Sequence, residues 1–210
     1  IFFSGISFES TKVKKNEIFF AIKGNKTDGN NFISNAIKKG SKIIVSEKKH
    51  KRQKNGIIYI QTKNVRKLLA EVSFKIYKKK PENLIAVTGT NGKSSIADFY
   101  FQILKLNNVK VASIGTLGVK SNSINQSLSN TTIDPLQLAK ILQKLKNKKI
   151  ENVIMEASSH GLKQNRLDGI QFNSGIFTNL SQDHLDYHKN LNTYLKAKLY
   201  LFEKLVKKRG

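Results

Sequence analysis

Cysteine is absent from the 210 residues, and so is any run of about 18 apolar residues, the length that a transmembrane helix needs. Without cysteine the protein can form neither disulfides nor thiolate metal sites, which fits a reducing compartment. We therefore expect a cytoplasmic protein with no membrane partner. Hydrophobic residues make up 39% of the chain, which is enough for a buried core.

Acidic residues are scarce, since 14 of them stand against 38 lysines and arginines, for a formal net charge of +24. This balance indicates either a nucleic-acid surface or a lysine-rich composition spread over solvated faces. Readers of nucleic acids commonly use arginine forks, yet the chain's only arginines are Arg52, Arg66, Arg166 and Arg209. The scattered lysines favour the second interpretation, so we expect no nucleic-acid partner, although the positive field would attract small polyanions.

The first 80 residues contain short β-branched and aromatic runs of strand length, at 17–22, 42–45 and 56–60. Between the first two runs, residues 31–39 carry apolar side chains at helical spacing, and Gly40 follows as a candidate C-terminal cap. Residues 65–77 predict a second helix. This alternation predicts a small α/β domain over residues 1–80, which ends at a polar linker around Pro81.

Residues 81–210 alternate strands and helices again, which predicts a doubly wound, mostly parallel sheet. The expected strands are 84–88, 109–114, 152–156 and 174–179, and the expected helices are 93–107 and 134–146. Pro135 suits the first turn of the second of these helices. In such sheets ligands bind beyond the carboxyl ends of the strands, and polar clusters follow several of these strands.

A glycine-containing loop, Gly89-Thr90-Asn91-Gly92-Lys93-Ser94-Ser95, lies between the predicted strand 84–88 and helix 93–107. Glycines let backbone N–H groups surround a phosphate, and the helix N-terminus adds positive potential. Lys93 can then reach the β- and γ-phosphates, and Ser94 can ligate Mg²⁺. Val87 stands where the general phosphate-loop pattern has its first glycine. The loop nevertheless predicts a site for ATP and Mg²⁺.

Glu156 ends a predicted strand, where a carboxylate can bind magnesium. Three of the chain's four histidines lie in the polar segments 155–162 and 181–188, and this concentration favours a functional site there. The second segment also fits an ordinary helix start capped by Ser181 or Asp183.

Three further polar features have simple local explanations. Residues 130–132, which precede a predicted helix, fit a capping segment. Residues 164–166 include an arginine whose planar fork suits carboxylate or phosphate, but an exposed surface arginine fits equally well. Lys198 lies in an amphipathic helical pattern, and this pattern alone predicts a solvated lysine.

Together these motifs resemble the Mur ligases of peptidoglycan synthesis. The resemblance covers essentially the whole chain, and it is carried by residues 88–95, 130–132, 155–162, 164–166, 177–188 and 194–202. The combination is far more specific than any single segment. Within the family, residues 155–162 and 178–188 look like the members that add the third amino acid of the peptide.

The resemblance implies that meso-diaminopimelate or L-lysine is joined to UDP-N-acetylmuramoyl-L-alanyl-D-glutamate through an acyl phosphate, with ATP and Mg²⁺. The phosphate loop would hold ATP, with Lys93 catalytic and Ser94 on magnesium. Glu156 and His184 would be catalytic and would ligate a second magnesium ion. Lys198 matches a lysine that is carbamylated in the family, which would make it a catalytic anion and reverse the solvated interpretation.

The resemblance also implies contacts to the UDP-muramoyl-dipeptide. In the second half of the chain the matching positions are Asn130, Thr131, Thr132, Ser158, Gln164 and Arg166. In the first half they are Phe8, Ser10, Asn25, Lys26 and Thr27. Glu9 and Thr11 depart from the Asp-Ser-Arg that the family usually has around Ser10.

Family members have a third, C-terminal domain that closes on ATP and carries the pocket for the incoming amino acid. We expect this chain to hold the substrate domain over residues 1–80 and an incomplete central domain over 81–210, with a trimmed start. We expect such a fragment not to ligate by itself. A monomer is the expected state.

Two alternatives stay open at this point. A sibling Mur ligase or a folylpolyglutamate synthetase would share the loop and the lysine. A non-catalytic, basic nucleotide-binding or nucleic-acid-binding protein would account for the loop and the charge.

Overall fold

A computed structural model describes residues 3–24, 27–50, 53–54 and 56–208 of the chain. The chain divides into two compact units, Ile1–Leu69 and Ala70–Gly210, and the division falls within one helix, α2 (Val65–Ile76). Each unit is an α/β structure, which confirms the predicted fold class. None of the helices in the described ranges combines the length and apolar character that crossing a bilayer requires.

The first unit contains a five-stranded sheet in the order β1-β2-β3-β5-β4. Its elements are β1 (Gly5–Ser7), β2 (Glu17–Phe20), a 3-10 turn (Gly29–Phe32), α1 (Ile33–Lys38), β3 (Ile43–Ser46), β4 (Gln53–Lys54) and β5 (Ile57–Gln61). The first four strands in that order run parallel, and β4 pairs antiparallel with β5. The apolar runs of the sequence form β2, β3 and β5, as predicted.

Helix α1 packs its apolar face on this sheet. Ala36 is fully buried in a cluster with Phe19 and Ile44, because helical spacing places the apolar side chains of 33–37 on one face. Gly40 has a φ of 98° and follows the end of the helix, as expected for a glycine that stops a helix.

The second unit contains a six-stranded sheet in the order β11-β6-β10-β7-β8-β9. Its strands are β6 (Asn83–Thr88), β7 (Val111–Gly115), β8 (Gly118–Ser121), β9 (Asn125–Gln126), β10 (Asn152–Glu156) and β11 (Ser174–Phe177). Its helices are α3 (Lys93–Leu106), α4 (Pro135–Asn147), α5 (Ser159–Lys163), α6 (Leu185–His188) and α7 (Leu191–Tyr200), followed by a π-helical turn (Leu201–Leu205). Strands β11, β6, β10 and β7 are parallel, which confirms a mostly parallel sheet.

Alternate residues of the central strands face opposite layers of the second unit. Leu84 and Ala86 of β6 belong to the large core that includes Leu142 of α4. Val87 lies on the other face, in a cluster with Ala97 of α3. The central strands are therefore covered by helices on both sides, and this explains their nearly continuous apolar sequences.

The strand registers bring four carboxyl ends to one edge of this sheet. Glu156 at the end of β10 pairs with Val87, and Phe177 at the end of β11 pairs with Thr88. Strand β7 ends beside them at Gly115. The residues that follow these strands therefore surround a single space, which is where ligands bind in sheets of this kind.

The structure differs from the predicted strands in where the last strand ends and in four short strands that were not predicted. The predicted strand 174–179 ends at Phe177, because Thr178 and the residue after it leave the sheet to contact the phosphate loop. The strands β1, β4, β8 and β9 were not predicted. Each has only two to four residues, which is too short for the apolar alternation that predicts a strand.

We expect Leu142→Ala to lower the free energy of unfolding by about 2 to 5 kcal/mol, because it leaves a cavity in the large core. Leu142 is 1% exposed, whereas Leu106 is 82% exposed. The matched control Leu106→Ala should change stability by less than about 0.5 kcal/mol. Urea titration followed by circular dichroism measures both. Equal losses for the two variants would contradict this core assignment.

Candidate functional site

The phosphate loop lies between β6 and α3, as predicted, and two of its residues have backbone angles that favour glycine. Gly89 has a φ of 144° and Gly92 a φ of 81°. A Cβ atom on Gly89 would lie 1.8 Å from the Oγ1 atom of Thr178. Gly89 is therefore required both for its backbone conformation and for the close approach of the segment after β11.

That segment holds the loop through several hydrogen bonds. Thr178 donates from Oγ1 to the carbonyl oxygen of Asn91 at 2.6 Å. Asn179 accepts from the Thr90 amide on its carbonyl and from the Asn91 amide on Oδ1, each at 3.0 Å. The Ser181 amide donates to Oγ1 of Thr90 at 3.0 Å. The conformation of the loop is thus fixed by a neighbouring part of the chain.

Lys93, the first residue of α3, folds back over the loop. Its Nζ donates to the carbonyl oxygens of Gly89 at 2.9 Å and Thr90 at 2.7 Å. Burial lowers the pKa of Lys93, and the carboxylate of Glu156 opposes this lowering. A cation whose hydrogen-bond partners are neutral carbonyls can exchange them for phosphate oxygens, which form stronger, charge-assisted bonds.

The carboxylate of Glu156 is 3% exposed and is held from two sides. Its Oε2 accepts from Oγ of Ser94 at 2.9 Å and from Oγ1 of Thr116 at 3.1 Å. Its Oε1 accepts from the Thr116 amide at 2.8 Å. A Cβ on Gly115 would lie 2.1 Å from that oxygen, so the close approach of the carboxylate to β7 requires a glycine there.

The oxygen atoms of Ser94, Glu156 and Thr116 are the kind of ligand that Mg²⁺ prefers. Among the described residues, no group of three or more histidine, cysteine, aspartate or glutamate side chains could hold a metal ion. The oxygen atoms of Ser94, Glu156 and Thr116 nevertheless fit magnesium, because Mg²⁺ commonly takes one or two protein ligands and completes its shell with phosphate oxygens and water.

Lys198 is buried, with 1% exposure. The solvated lysine that its helical pattern alone predicted is therefore wrong. Its Nζ donates to the Gly89 carbonyl at 2.6 Å and lies 4.2 Å from the centre of the Tyr194 ring. Burial, together with the nearby cation of Lys93, lowers the pKa of Lys198 to about 8. The ammonium form still predominates at neutral pH, but the neutral amine is far more populated than in an ordinary lysine.

The polar segment 181–188 also differs from its simplest interpretation. Neither Ser181 nor Asp183 caps the helix α6. The residue before that helix is His184, which has a φ of 53° and makes no capping bond with its side chain. The exposed His184 side chain lies on the wall of the cavity instead.

The three histidines that the sequence concentrates in two segments form an aromatic cluster. The ring of His160 lies 4.8 Å from that of His184 and 5.4 Å from that of His188, between ring centres. Burial is the main cause that lowers the pKa of His160 and that of His188, the latter to about 4. His188 is fully buried, and its Nε2 lies 3.0 Å from Oγ of Ser159.

Four of the predicted substrate contacts form one hydrogen-bonded group. Oγ1 of Thr132 donates to the Glu156 carbonyl at 2.9 Å and accepts from the Ser158 amide at 2.9 Å. Arg166 donates to the Thr132 carbonyl, and its Nη2 donates to Oε1 of Gln164 at 2.8 Å. These side chains therefore brace the region between β10 and α4, and Ser158 is the member on the cavity wall.

The other predicted substrate contacts in the second unit lie nearby in sequence. Asn130 is exposed and donates to Oγ of Ser129 at 3.2 Å. Thr131 lies on the cavity wall, with its Oγ1 3.0 Å from Oγ1 of Thr116.

The remaining predicted contacts belong to the first unit. Ser10 is buried, Phe8 is half-buried and Thr27 is exposed. Asn25 and Lys26 lie outside the described residues.

The site is a cavity of about 380 Å³ at the carboxyl edge of the six-stranded sheet. The predicted residues that line it are Thr90, Asn91, Gly92, Lys93, Ser94, Ser95, Thr131, Glu156, Ser158, His184 and Lys198. Three lining residues were not predicted, namely Thr116, Ser159 and Tyr194. Thr116 directly follows a parallel strand, so the carboxyl-edge rule could have found it. The ring of Tyr194 is brought in by tertiary packing alone.

Two family models match this chain. One, described as the Mur ligase family catalytic domain, matches residues 3–79, and the other, described as the Mur ligase middle domain, matches residues 87–209.

Relatives of known name match it as well. The UDP-N-acetylmuramoyl-L-alanyl-D-glutamate--2,6-diaminopimelate ligase of Rickettsia montanensis is 47% identical over 202 residues, covering 94% of this chain and 42% of that protein. A solved structure of a ligase with the same name superposes with a TM-score of 0.82 at 32% identity, over 98% of this chain and 42% of that one. The MurF ligase from Thermotoga maritima, solved in complex with ADP, shares the fold with a TM-score of 0.61 at 18% identity. The match covers 93% of this chain and 42% of that one.

The chain thus spans about two fifths of the length of the relatives that it matches. The match to the middle-domain model includes the phosphate loop, Glu156 and Lys198, which the structure brings together. With both models and a relative at 47% identity in agreement, the chain belongs to the Mur ligase family.

Proposed function

We propose that this chain is part of an ATP-dependent ligase that joins 2,6-diaminopimelate to UDP-N-acetylmuramoyl-L-alanyl-D-glutamate. The observation that carries the proposal is one cavity in which a phosphate loop, the buried carboxylate of Glu156 and the lysines Lys93 and Lys198 meet. The name of the relatives at 47% identity supports the choice of both substrates.

The nucleotide would lie with its phosphates on the loop 89–95. Backbone N–H groups at the start of α3 and the cation of Lys93 offer favourable partners for the β- and γ-phosphates. For this, Lys93 would give up its hydrogen bonds to the carbonyls of Gly89 and Thr90. The MurF ligase that shares this fold was solved in complex with ADP, which supports an adenine nucleotide as the ligand.

Ser94 and Glu156 would hold Mg²⁺, and Glu156 with His184 would hold a second ion. Magnesium supplies positive charge to the phosphoryl oxygens when it is bound. Thr116 supports this role because it fixes the position of the Glu156 carboxylate through both its amide and its hydroxyl.

The reaction would proceed in two displacements. An oxygen of the substrate's glutamyl γ-carboxylate forms a bond to the γ-phosphorus of ATP, and the bond from that phosphorus to the bridging oxygen breaks, releasing ADP. The amine of the diamino acid then attacks the acyl carbon, phosphate leaves with the C–O bonding electrons, and the amine loses a proton. The residues of this chain position the two anions and stabilise their charge, rather than forming covalent bonds to the substrate.

Lys198 would act as a carbamate. Its neutral amine attacks the carbon of CO₂ and loses a proton, which leaves an N-carboxylate with one negative charge. The lowered pKa of Lys198 supports this step because the neutral amine is the nucleophile. The change from cation to anion would also remove the repulsion between Lys198 and Lys93.

The UDP-muramoyl-dipeptide would contact the two groups of residues that the family resemblance marks. In the second unit these are Asn130, Thr131, Thr132, Ser158, Gln164 and Arg166, and in the first they are Phe8, Ser10, Asn25, Lys26 and Thr27. We expect a cytoplasmic monomer without a nucleic-acid partner.

The full-length gene product should consume ATP only when UDP-N-acetylmuramoyl-L-alanyl-D-glutamate and a diamino acid are both present. Coupled phosphate release measures the turnover, and mass spectrometry identifies the product. We expect diaminopimelate to be used in preference to L-lysine. The assignment would be contradicted if neither amino acid supported turnover, or if only other muramoyl precursors did.

In the same assay Lys93→Met should lower kcat by about 100-fold or more, because it removes a cation that faces the developing charge. The matched control is Lys105→Met on the exposed face of the same helix, which should keep the activity of the unmodified protein. If both variants were equally active, Lys93 would not act on the phosphates.

With ¹³C-labelled CO₂, the chain should show a carbamate carbon resonance that increases as the pH rises through about 8 at constant dissolved CO₂. The cause is the Lys198 pKa of about 8, lowered by burial, since the reactive neutral amine replaces the ammonium form over this range. Lys198→Met should abolish the resonance. The exposed neighbour variant Lys196→Met should leave it unchanged, and persistence of the resonance in Lys198→Met would rule out this carbamate.

A further inference from the structure

Ser159 and His188 form a buried pair on the wall of the cavity that the mechanism above leaves without a role. Ser159 is 3% exposed and lines the cavity, and His188 is fully buried behind it. The Nε2 atom of His188 lies 3.0 Å from Oγ of Ser159. The other ring nitrogen, Nδ1, is buried and has no hydrogen-bond partner in the described ranges.

The surroundings of His188 keep its ring neutral. Its neighbours are the rings of Tyr187, Tyr194 and His160, with centres 4.9, 5.1 and 5.4 Å away. A charged imidazolium would bury two N–H groups here, and Nδ1 has no acceptor in the described ranges. A neutral imidazole carries a single N–H, so one of its nitrogens donates and the other accepts.

The unpartnered Nδ1 decides which nitrogen carries that hydrogen. If Nδ1 carried it, the structure would bury an N–H donor without an acceptor, which is among the rarest unsatisfied groups in proteins. If Nε2 carries it, the unpartnered atom is only a lone pair, and the N–H of Nε2 points at Ser159. The second arrangement has the lower free energy.

The direction of the hydrogen bond between His188 and Ser159 decides whether the Ser159 hydroxyl can donate to a ligand. When Nε2 of His188 donates, the Oγ atom of Ser159 is the acceptor and its own O–H remains available. The pair is the one side-chain hydrogen bond that Ser159 makes within the described residues. Its hydroxyl proton can therefore turn toward the cavity that Ser159 lines.

The cavity is built for negatively charged ligands. Lys93 and Lys198 line it together with the N-terminal residues of α3, and the proposed substrates bring carboxylate and phosphate groups. We propose that His188 is a positioning residue that holds Ser159 as a hydrogen-bond donor to an anionic oxygen of the bound substrate. The inference rests on the proposed function for the identity of that anion, a phosphoryl oxygen of ATP or a carboxylate of the muramoyl substrate.

The tautomer of His188 shows, without any ligand or activity, whether Nε2 carries the hydrogen that is donated to Ser159. Long-range ¹H–¹⁵N correlation spectra of the labelled 210-residue chain distinguish protonated from unprotonated ring nitrogens, and the spectrum of His188→Gln assigns the signals. We expect the Nε2–H form. A ring protonated at Nδ1, or at both nitrogens at neutral pH, would overturn the inference.

Ligand binding by the full-length gene product tests whether Ser159 donates to an anionic oxygen of a bound substrate. Ser159→Ala should weaken the binding of one of two ligands by about 10-fold or more, the loss expected for a hydrogen bond to a charged group. The ligands are the β,γ-imido analogue of ATP with Mg²⁺ and UDP-N-acetylmuramoyl-L-alanyl-D-glutamate, and the one affected identifies the anion. The control Ser123→Ala removes an exposed hydroxyl in the β8–β9 turn and should change neither affinity. Unchanged affinities in Ser159→Ala, or no binding to the unmodified protein, would overturn the inference.

A double-mutant comparison separates positioning from a merely structural role. His188→Phe should weaken the same ligand as Ser159→Ala does, and the double variant should be no weaker than Ser159→Ala alone. His188→Gln, which keeps an N–H near the place of Nε2, should recover most of the affinity. Additive losses would contradict the coupling. A protein that binds both ligands with the expected coupling but fails to ligate would contradict the proposed function and leave this pair intact.

Discussion

Two lysine side chains donate to the same backbone oxygen, the carbonyl of Gly89, and the chemistry of the site depends on this arrangement. Lys93 reaches it at 2.9 Å and Lys198 at 2.6 Å. Two ammonium groups near one neutral acceptor repel each other in a poorly solvated place, and this contributes to the lowered pKa of Lys198. The free energy of such a site falls when an anion binds or when one amine becomes a carbamate.

The fold creates this arrangement through the order of its parallel strands. Strand β6 delivers the loop, and the strands on its two sides deliver Thr178 and Glu156 at the same edge. Gly89 lies so close to Thr178 that a side chain has no room there, and hydrogen bonds of Asn91 hold the loop to the segment after β11. These contacts fix the position of the Gly89 carbonyl, to which both lysines donate.

Much of this structure could be predicted from local sequence. The apolar runs and the glycine loop predicted most of the longer strands, the helix α3 and the loop between β6 and α3, because each depends on neighbouring residues in the chain. The burial of Lys198 could not be predicted in this way. Its helical pattern is that of a surface lysine, and only the packing of α7 against the loop removes it from water. Thr116 and the pair Ser159 and His188 likewise depend on contacts between distant segments.

We propose that this site, in the full-length protein, activates a carboxylate by phosphoryl transfer from ATP. The most direct measurement uses the muramoyl-dipeptide substrate with ¹⁸O in the glutamyl γ-carboxylate and follows the label by ³¹P NMR in the full-length gene product. We expect one labelled oxygen in inorganic phosphate for each amide bond formed, and none in ADP. Amide formation with no ¹⁸O in the phosphate would contradict it.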